Sequence, residues 1–340
     1  MSTQTQPVPE PLPDRISHSQ LVLTITTAVM VVLSTIFVFL RLASRTLSKV
    51  GIGLDDLACV GSLIFSYANF ISTVVAAVVA RAGYHVWQYD VFQLGKYLQV
   101  VLANSILYTS SISLAKISIL LFYNRIFTIS RAFHIATYIV GTFVMASWIS
   151  SLAGLIFATN PVQAQWQVWI PHTSIDSYPF YMTMGVANIV LDVSVLCLPQ
   201  PIVWKLQMGR RRKVLVSLVF FMGGFVCITS AMRLYSITTV DLNDATYTYF
   251  PTALWSMLEM DVGIICTCLP TLPHLVRYYR ARAQKRIGSS RTGSDSVQPI
   301  FDVKPLSTDP SFRALVSSRD SYSRWGVNVS VESSSSHTLT

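Results

Sequence analysis

The chain runs to 340 residues with a formal net charge of +9; apolar residues make up 52% of it and charged residues 12%, about half the charged share of an average soluble domain. So little charge cannot cover a soluble surface of this size, so much apolar content excludes disorder for the bulk of the chain, and five cysteines exclude a disulfide-built secreted scaffold. What remains is a multi-spanning membrane protein. In lipid only helices or a closed barrel satisfy the backbone, and continuous apolar runs of about twenty residues, rather than short alternating strands, predict helices.

Taken in chain order, residues 1–20 form a polar arm with four alternating prolines, Pro7, Pro9, Pro11 and Pro13, which favour an extended conformation. The arm has no basic lead and no cleavage site, so the first span is expected to act as an uncleaved insertion signal. Seven predicted spans follow: Leu21–Leu40, Leu57–Ala80, Val100–Phe122, Ile135–Phe157, Phe180–Leu198, Val214–Ile237 and Thr252–Val276. Together they make an all-α, seven-transmembrane domain over residues 21–276. Residues 277–287 are a basic juxtamembrane segment facing anionic headgroups. Residues 288–340, in which fifteen of 53 positions are serine, are expected to be a disordered cytosolic tail.

The basic residues orient the bundle. Twenty lysines and arginines fall on the side of the first, third and fifth loops and the C-terminal tail, three fall on the other, and two lie inside spans. The excess marks the cytosolic side, which places the N-terminus outside and the C-terminus in the cytosol. The net charge then belongs to a face beside anionic lipid and requires no nucleic acid. A multi-pass protein of the plasma membrane, in preference to an internal membrane, is expected.

Charges within spans are costly, so they carry the functional information. Lys116 on span 3 and Asp192 on span 5 stand at matching depth, about seven residues from the ends of their spans. Asn188 is one turn from Asp192 on the same face, and Ser105, Thr109 and Ser113 run along span 3 at helical spacing toward Lys116. A Lys116–Asp192 pair inside the bundle is one reading; Lys116 snorkelling to the headgroups is the other. Arg233 on span 6 and Glu259 on span 7 form a second candidate pair. Asp261 lies about 200° around the helix from Glu259, so the two carboxylates do not share a partner, and Asp261 is read as hydrogen-bonding or ion-facing in its own right. Trp255, Gly263 and Pro270 complete the polar and flexible features of span 7, with Gly223 and Gly224 on span 6 as candidate sites for its close approach.

Several chemistries find no residues. A retinal Schiff base needs a lysine, ordinarily in the seventh span, and Thr252–Val276 has none. The six histidines are scattered without metal-ligand spacing, and no phosphate-binding, nucleophile-elbow or zinc-protease motif occurs. No catalytic, cofactor-binding or metal residues are assigned, and no cofactor is expected. All five cysteines lie in or at the edge of spans, where small apolar side chains serve packing, and no outer disulfide is predicted.

Several blocks together carry a family resemblance. They are Gly53-Leu-Asp55-Asp56 opening span 2, Leu114-Ala-Lys116 through Tyr123-Asn-Arg125-Ile-Phe127 closing span 3, and Asn188-Ile-Val-Leu-Asp192 on span 5. Pro199-Gln-Pro201-Ile-Val-Trp204 follows, then Leu254-Trp255 through Glu259, and Gly263-Ile-Ile-Cys266-Thr-Cys268-Leu-Pro270. In combination, over about Leu21 to Tyr279, the chain resembles the filamentous-fungal rhodopsin-domain proteins, seven-helix GPCR-like integral membrane proteins. It departs from them at Thr159, where relatives often have a cysteine before the loop proline, and at Asp261, where they commonly have asparagine. The resemblance implies a receptor-like role or an accessory role beside fungal secondary metabolism.

The function expected from these observations is a GPCR-like receptor or sensor of an extracellular small apolar ligand, without retinal. Its partners would be the bilayer, that ligand, and a cytosolic G-protein-like protein at the basic third inner loop, Lys205–Lys213; the serine-rich tail would be open to phosphorylation. The alternatives are a carrier or membrane-embedded accessory enzyme of a secondary-metabolite pathway, in which Lys116 and Asp192 handle protons or substrate, and a scaffold with no ligand.

Overall fold

The computed structural model describes residues 17–47, 51–126, 131–167, 169–200, 210–241 and 244–271. The predicted extended arm (apart from its last few residues), most of the third inner loop, the juxtamembrane segment and the serine-rich tail lie outside these residues. Among these residues seven helices are long and apolar enough to cross a membrane. They are α1 His18–Leu47, α2 Leu54–Val78, α3 Val91–Ile126, α4 Arg131–Ile156, α5 Ser177–Cys197, α6 Arg210–Thr238 and α7 Phe250–Cys268. Each packs on its sequence neighbour and α7 returns to α1, so the helices close a ring; α3 also crosses the interior to touch α7. The face where α1 begins is called the near face here, and the face where it ends the far face.

The ring is polar inside and apolar outside. On α1 the buried positions are Gln20, Leu23, Thr27, Val31, Ser34, Val38, Arg41 and Ser44, a spacing of three and four that keeps one stripe on the bundle. Between them Ile25, Val29, Val32, Ile36 and Phe39 are exposed to the surroundings, as a lipid-facing surface requires. Apolar contacts then fix neighbours: Ile119, Phe122 and Tyr123 of α3 meet Phe133 and Val144 of α4 and Val195 of α5. Val38, Cys59, Ala115, Ile264 and Cys268 join α1, α2, α3 and α7. All five cysteines are free thiols.

Three helix limits differ from the sequence expectation. α1 continues seven residues beyond Leu40, and Arg41, assigned to the first loop by hydropathy, is fully buried in it. α3 starts at Val91 rather than Val100; its first turns are polar in sequence, yet Tyr97 packs on Ala76, Ala80 and Ala82. α7 leaves α-helical geometry at Cys268, and Pro270 sits in a 3₁₀ turn over Leu269–Thr271, as its missing N–H favours.

The near face is tied together by its loops. A two-residue antiparallel ribbon pairs β1 Thr159–Asn160 with β2 Thr173–Ser174 between α4 and α5. Gln165 Nε2 donates to the carbonyls of Leu155 and Ile156, two acceptors that the end of α4 leaves open. Between α2 and α3, Gly83 adopts φ of +92°, and a Cβ there would stand 2.7 Å from Ser17 Oγ, so both backbone and space demand glycine. His85 is stacked between Trp87 and Tyr247 and hydrogen-bonds Asp244, which links this loop to the one before α7.

Candidate functional site

Four of the five intramembrane charges singled out in the sequence meet in one network. Lys116 Nζ lies 3.1 Å from Asp192 Oδ1 and donates to Asn188 Oδ1 at 2.7 Å and to the Asn188 carbonyl at 3.1 Å. Arg233 Nε donates to Glu259 Oε2 at 2.9 Å. Asn188 joins the two pairs, since its Nδ2 donates to Asp192 at 3.2 Å and to Glu259 at 2.6 Å. Ser230 joins them a second time, its hydroxyl 3.0 Å from Asp192 Oδ2 and 2.6 Å from Glu259 Oε1. Two cations thus face two carboxylates, and helices α3, α5, α6 and α7 each contribute at least one member. The helical spacing of Asn188 and Asp192, four apart, and of Ser230 and Arg233, three apart, sets each pair on one face.

Tyr108 and Ser230 complete the network and were not singled out from sequence. Tyr108 OH donates to Glu259 Oε2 at 2.8 Å, and the Arg233 guanidinium stands 5.0 Å from the centre of the Tyr108 ring, an arrangement that binds a cation by the ring face. The available signal was spacing: Tyr108 is two turns from Lys116, on the same side of α3. The hydroxyls of Ser105 and Thr109 instead return to carbonyls of their own helix.

Asp261 and Trp255 stand apart from this network. Asp261 is fully buried on the opposite side of α7, where Ser66 Oγ donates to its Oδ1 at 2.7 Å and Ser34 Oγ lies 3.1 Å from the same oxygen. Trp255 is half-buried on α7, and no side-chain hydrogen bond among the described residues ties it to the network. Gly223 receives α5 rather than α7, because a Cβ there would strike the Leu196 side chain. A Cβ on Gly263 or on Gly224 would meet nothing within 4 Å.

The open space beside Gly263 is a cavity of about 50 Å³. Lys116 and Asp192 line it together with Ile112, Leu196, Val226 and Gly263, so it is an apolar chamber with an ion pair on one wall. It is formed by the same four helices that the network joins.

A second ionic cluster, absent from the list of sequence candidates, closes the far face. Fully buried Arg41 donates through Nε to Asp56 at 2.8 Å, through Nη2 to Asp55 at 2.8 Å and through Nη1 to the Thr267 carbonyl. Arg45 and Arg125 also pair with Asp55. Asp56 caps its own helix by accepting from the Gly53 N–H at 3.2 Å, and both aspartates sit in the first turn of α2, where the helix dipole favours negative charge. Ends of α1, α2, α3 and α7 are clamped together by this cluster. Hydropathy counted Arg41, Arg45 and Arg125 as loop charges; only the packed bundle shows that Asp55 and Asp56 draw them inward.

Residues 40–278, about seventy per cent of the chain, match the fungal rhodopsin domain. The chain belongs to that family. Every member of the central network and of the far-face cluster falls inside its fungal rhodopsin domain. Among curated relatives, an SAT4 family membrane protein of Emericella nidulans is 32% identical over 60% of this chain and 52% of its own length. Receptor GIN3 of Arthrobotrys oligospora is 25% identical over 79% of this chain and 66% of its own. Fugralins biosynthesis cluster protein 2 of Gibberella zeae is 25% identical over 62% of this chain and 56% of its own. The chain therefore spans between half and two thirds of the length of these relatives. No solved structure matches it.

Proposed function

We propose that this fungal rhodopsin-domain protein is a GPCR-like receptor or sensor of a small apolar ligand, seated in the plasma membrane with its N-terminus outside and its C-terminus in the cytosol. The observation that carries the reading is the position of the cavity: Lys116 and Asp192 form part of its wall. A ligand that fills the chamber presses on the network that holds α3, α5, α6 and α7 in register, and so biases one helix arrangement over another. A pocket of about 50 Å³ suits a small apolar group set against the ion pair, and a larger ligand would be taken up by displacing the helices that line it, a movement suited to signalling. Among the described residues the far-face clamp takes no side chain from α4, α5 or α6, so these are the helices a ligand would displace. The Lys116 amine is engaged by Asp192 and Asn188, which supports a ligand other than a Schiff-base chromophore. On this orientation the basic segment Lys205–Lys213 faces a cytosolic G-protein-like partner, and residues 277–287 and 288–340 serve as juxtamembrane segment and phosphorylatable tail. The resemblance to a protein named as a receptor adds support.

The test is coupling in a reporter cell that displays the protein at its surface. Lys116→Met, which releases Asp192, is expected to change basal G-protein or arrestin signal relative to wild type. Absence of signal from both proteins, with and without an apolar metabolite extract and with surface display verified, would count decisively against a receptor.

The relative named for a fugralins biosynthesis cluster favours a second reading, a carrier or accessory enzyme for an apolar metabolite. In that case Asp192→Asn, expressed at the wild-type level, should stop flux or product formation. If Asp192→Asn is instead poorly expressed, the pair is structural.

A further inference from the structure

Asp261 is the one acidic side chain buried in the middle of the bundle that forms no ion pair among the described residues. Arg41 is held by Asp55 and Asp56, Arg233 by Glu259, and Lys116 by Asp192. Asp261 has 0% exposure, and its polar neighbours are two hydroxyls, Ser66 Oγ and Ser34 Oγ, both on Oδ1. Its other oxygen, Oδ2, is buried without a hydrogen-bond partner. A lone carboxylate in a bilayer interior needs neutralising. Oδ2 thus keeps an unused lone pair inside the bundle, and among the described residues no cation answers the carboxylate.

Further buried oxygens on the helices of the bundle also lack a hydrogen-bond partner. Asn69 Oδ1 on α2, one turn from Ser66, is buried without a partner, as are Asn104 Oδ1 on the neighbouring stretch of α3 and Thr252 Oγ1 on α7. Asn69 Nδ2 donates to the Asn104 carbonyl at 3.1 Å, which places these two residues side by side. With Asp261 Oδ2 these are four oxygens with unused lone pairs on α2, α3 and α7, and Asn69 stands one helical turn from Ser66 toward the near face. Gln20 and Thr27 on α1 and Thr73 on α2, each buried, continue the polar file to the near face. Gln20 closes it by donating to the Thr73 carbonyl at 3.1 Å. Hard cations are bound by carboxylate, amide carbonyl and hydroxyl oxygens, and a single carboxylate matches a single positive charge.

We propose that Asp261 anchors a monovalent-cation site between α1, α2 and α7, with Na⁺ as its occupant and the hydroxyl oxygens of Ser34 and Ser66 beside the carboxylate as ligands. The file from Gln20 through Asn69 is its access route. The site lies across α7 from the Lys116–Asp192 network and stands or falls independently of the receptor reading.

A bound ion stabilises the folded state in proportion to its occupancy, so thermal unfolding reads the site directly. The full-length protein in nanodiscs, followed by a fluorogenic thiol dye at fixed pH, is compared in NaCl, KCl and N-methylglucamine chloride at constant ionic strength. The unfolding midpoint should climb by several degrees and saturate with Na⁺, while N-methylglucamine leaves it flat. Asp261→Asn, uncharged and of the same shape, should abolish the Na⁺ response. Ser66→Ala should move the half-saturating Na⁺ concentration upward, and it decides the matter if Asp261→Asn fails to fold. The proposal is overturned by a wild-type midpoint that is equal in Na⁺ and N-methylglucamine, by a midpoint that follows pH alone, or by a Na⁺ response that survives in Asp261→Asn or is unchanged in Ser66→Ala.

Discussion

Ser230 has one proton and three acceptors, since its hydroxyl lies within hydrogen-bond reach of Asp192, Glu259 and the Val226 carbonyl. It can donate to one of them at a time, so the remaining approaches depend on Lys116, Asn188 and Arg233 to offset the negative charge. The two ion pairs are therefore not independent, and mutations in one should be felt in the other. Lys116→Met or Asp192→Asn leaves an opposing charge buried and is expected to cost about 3–5 kcal/mol. The double variant Lys116→Met/Asp192→Leu should cost much less than the sum. Ser230→Ala is expected to cost about 1 kcal/mol. Thermal unfolding in nanodiscs over a double-mutant cycle between Asp192 and Glu259 measures the coupling; strict additivity would mean two separate pairs.

Among the helices, α7 is the element on which the interior depends. Glu259 faces α5 and α6, Asp261 faces α1 and α2, and its Thr267 carbonyl accepts from Arg41. Two residues of spacing suffice to direct the carboxylates to opposite sides. Arg41 in turn ties the far end of α1 to those of α2 and α7 by three separate donors. Arg41→Lys retains the charge but not the fork, and a point ammonium cannot reach both aspartates and the carbonyl. That variant should lose at least about 2 kcal/mol of stability, read as a lower unfolding midpoint, whereas a midpoint equal to wild type would show that charge alone suffices. The glycines give a sharper contrast. A Cβ on Gly154 of α4 would land on the Phe180 ring of α5, while one on Gly263 enters open space. Gly154→Ala should therefore lower expression and melting temperature, and Gly263→Ala should leave both near wild type while narrowing the cavity.

For the whole molecule, the asymmetry of basic residues predicts one orientation. An epitope tag at the N-terminus should be labelled on intact cells, and one at the C-terminus only after permeabilisation; the reverse pattern would invert the proposed roles of every loop.

Seven apolar runs, the matching depth of Lys116 and Asp192, and the adjacency of Arg233 and Glu259 follow from composition and helical period, because hydropathy and the rise per residue are local properties of a chain. The opposed directions of Glu259 and Asp261 follow from the same period. That Asn188 and Ser230 fuse the pairs, that Tyr108 caps Glu259, and that Arg41 turns inward to Asp55 and Asp56 required the closed ring. Each depends on which face a helix rotates toward its neighbours, and that rotation is set by side chains from three or four helices acting together. Sequence determined which groups must be hidden from lipid; the tertiary arrangement alone decided which of them meet, because a buried charge takes the partner that packing brings within hydrogen-bond distance.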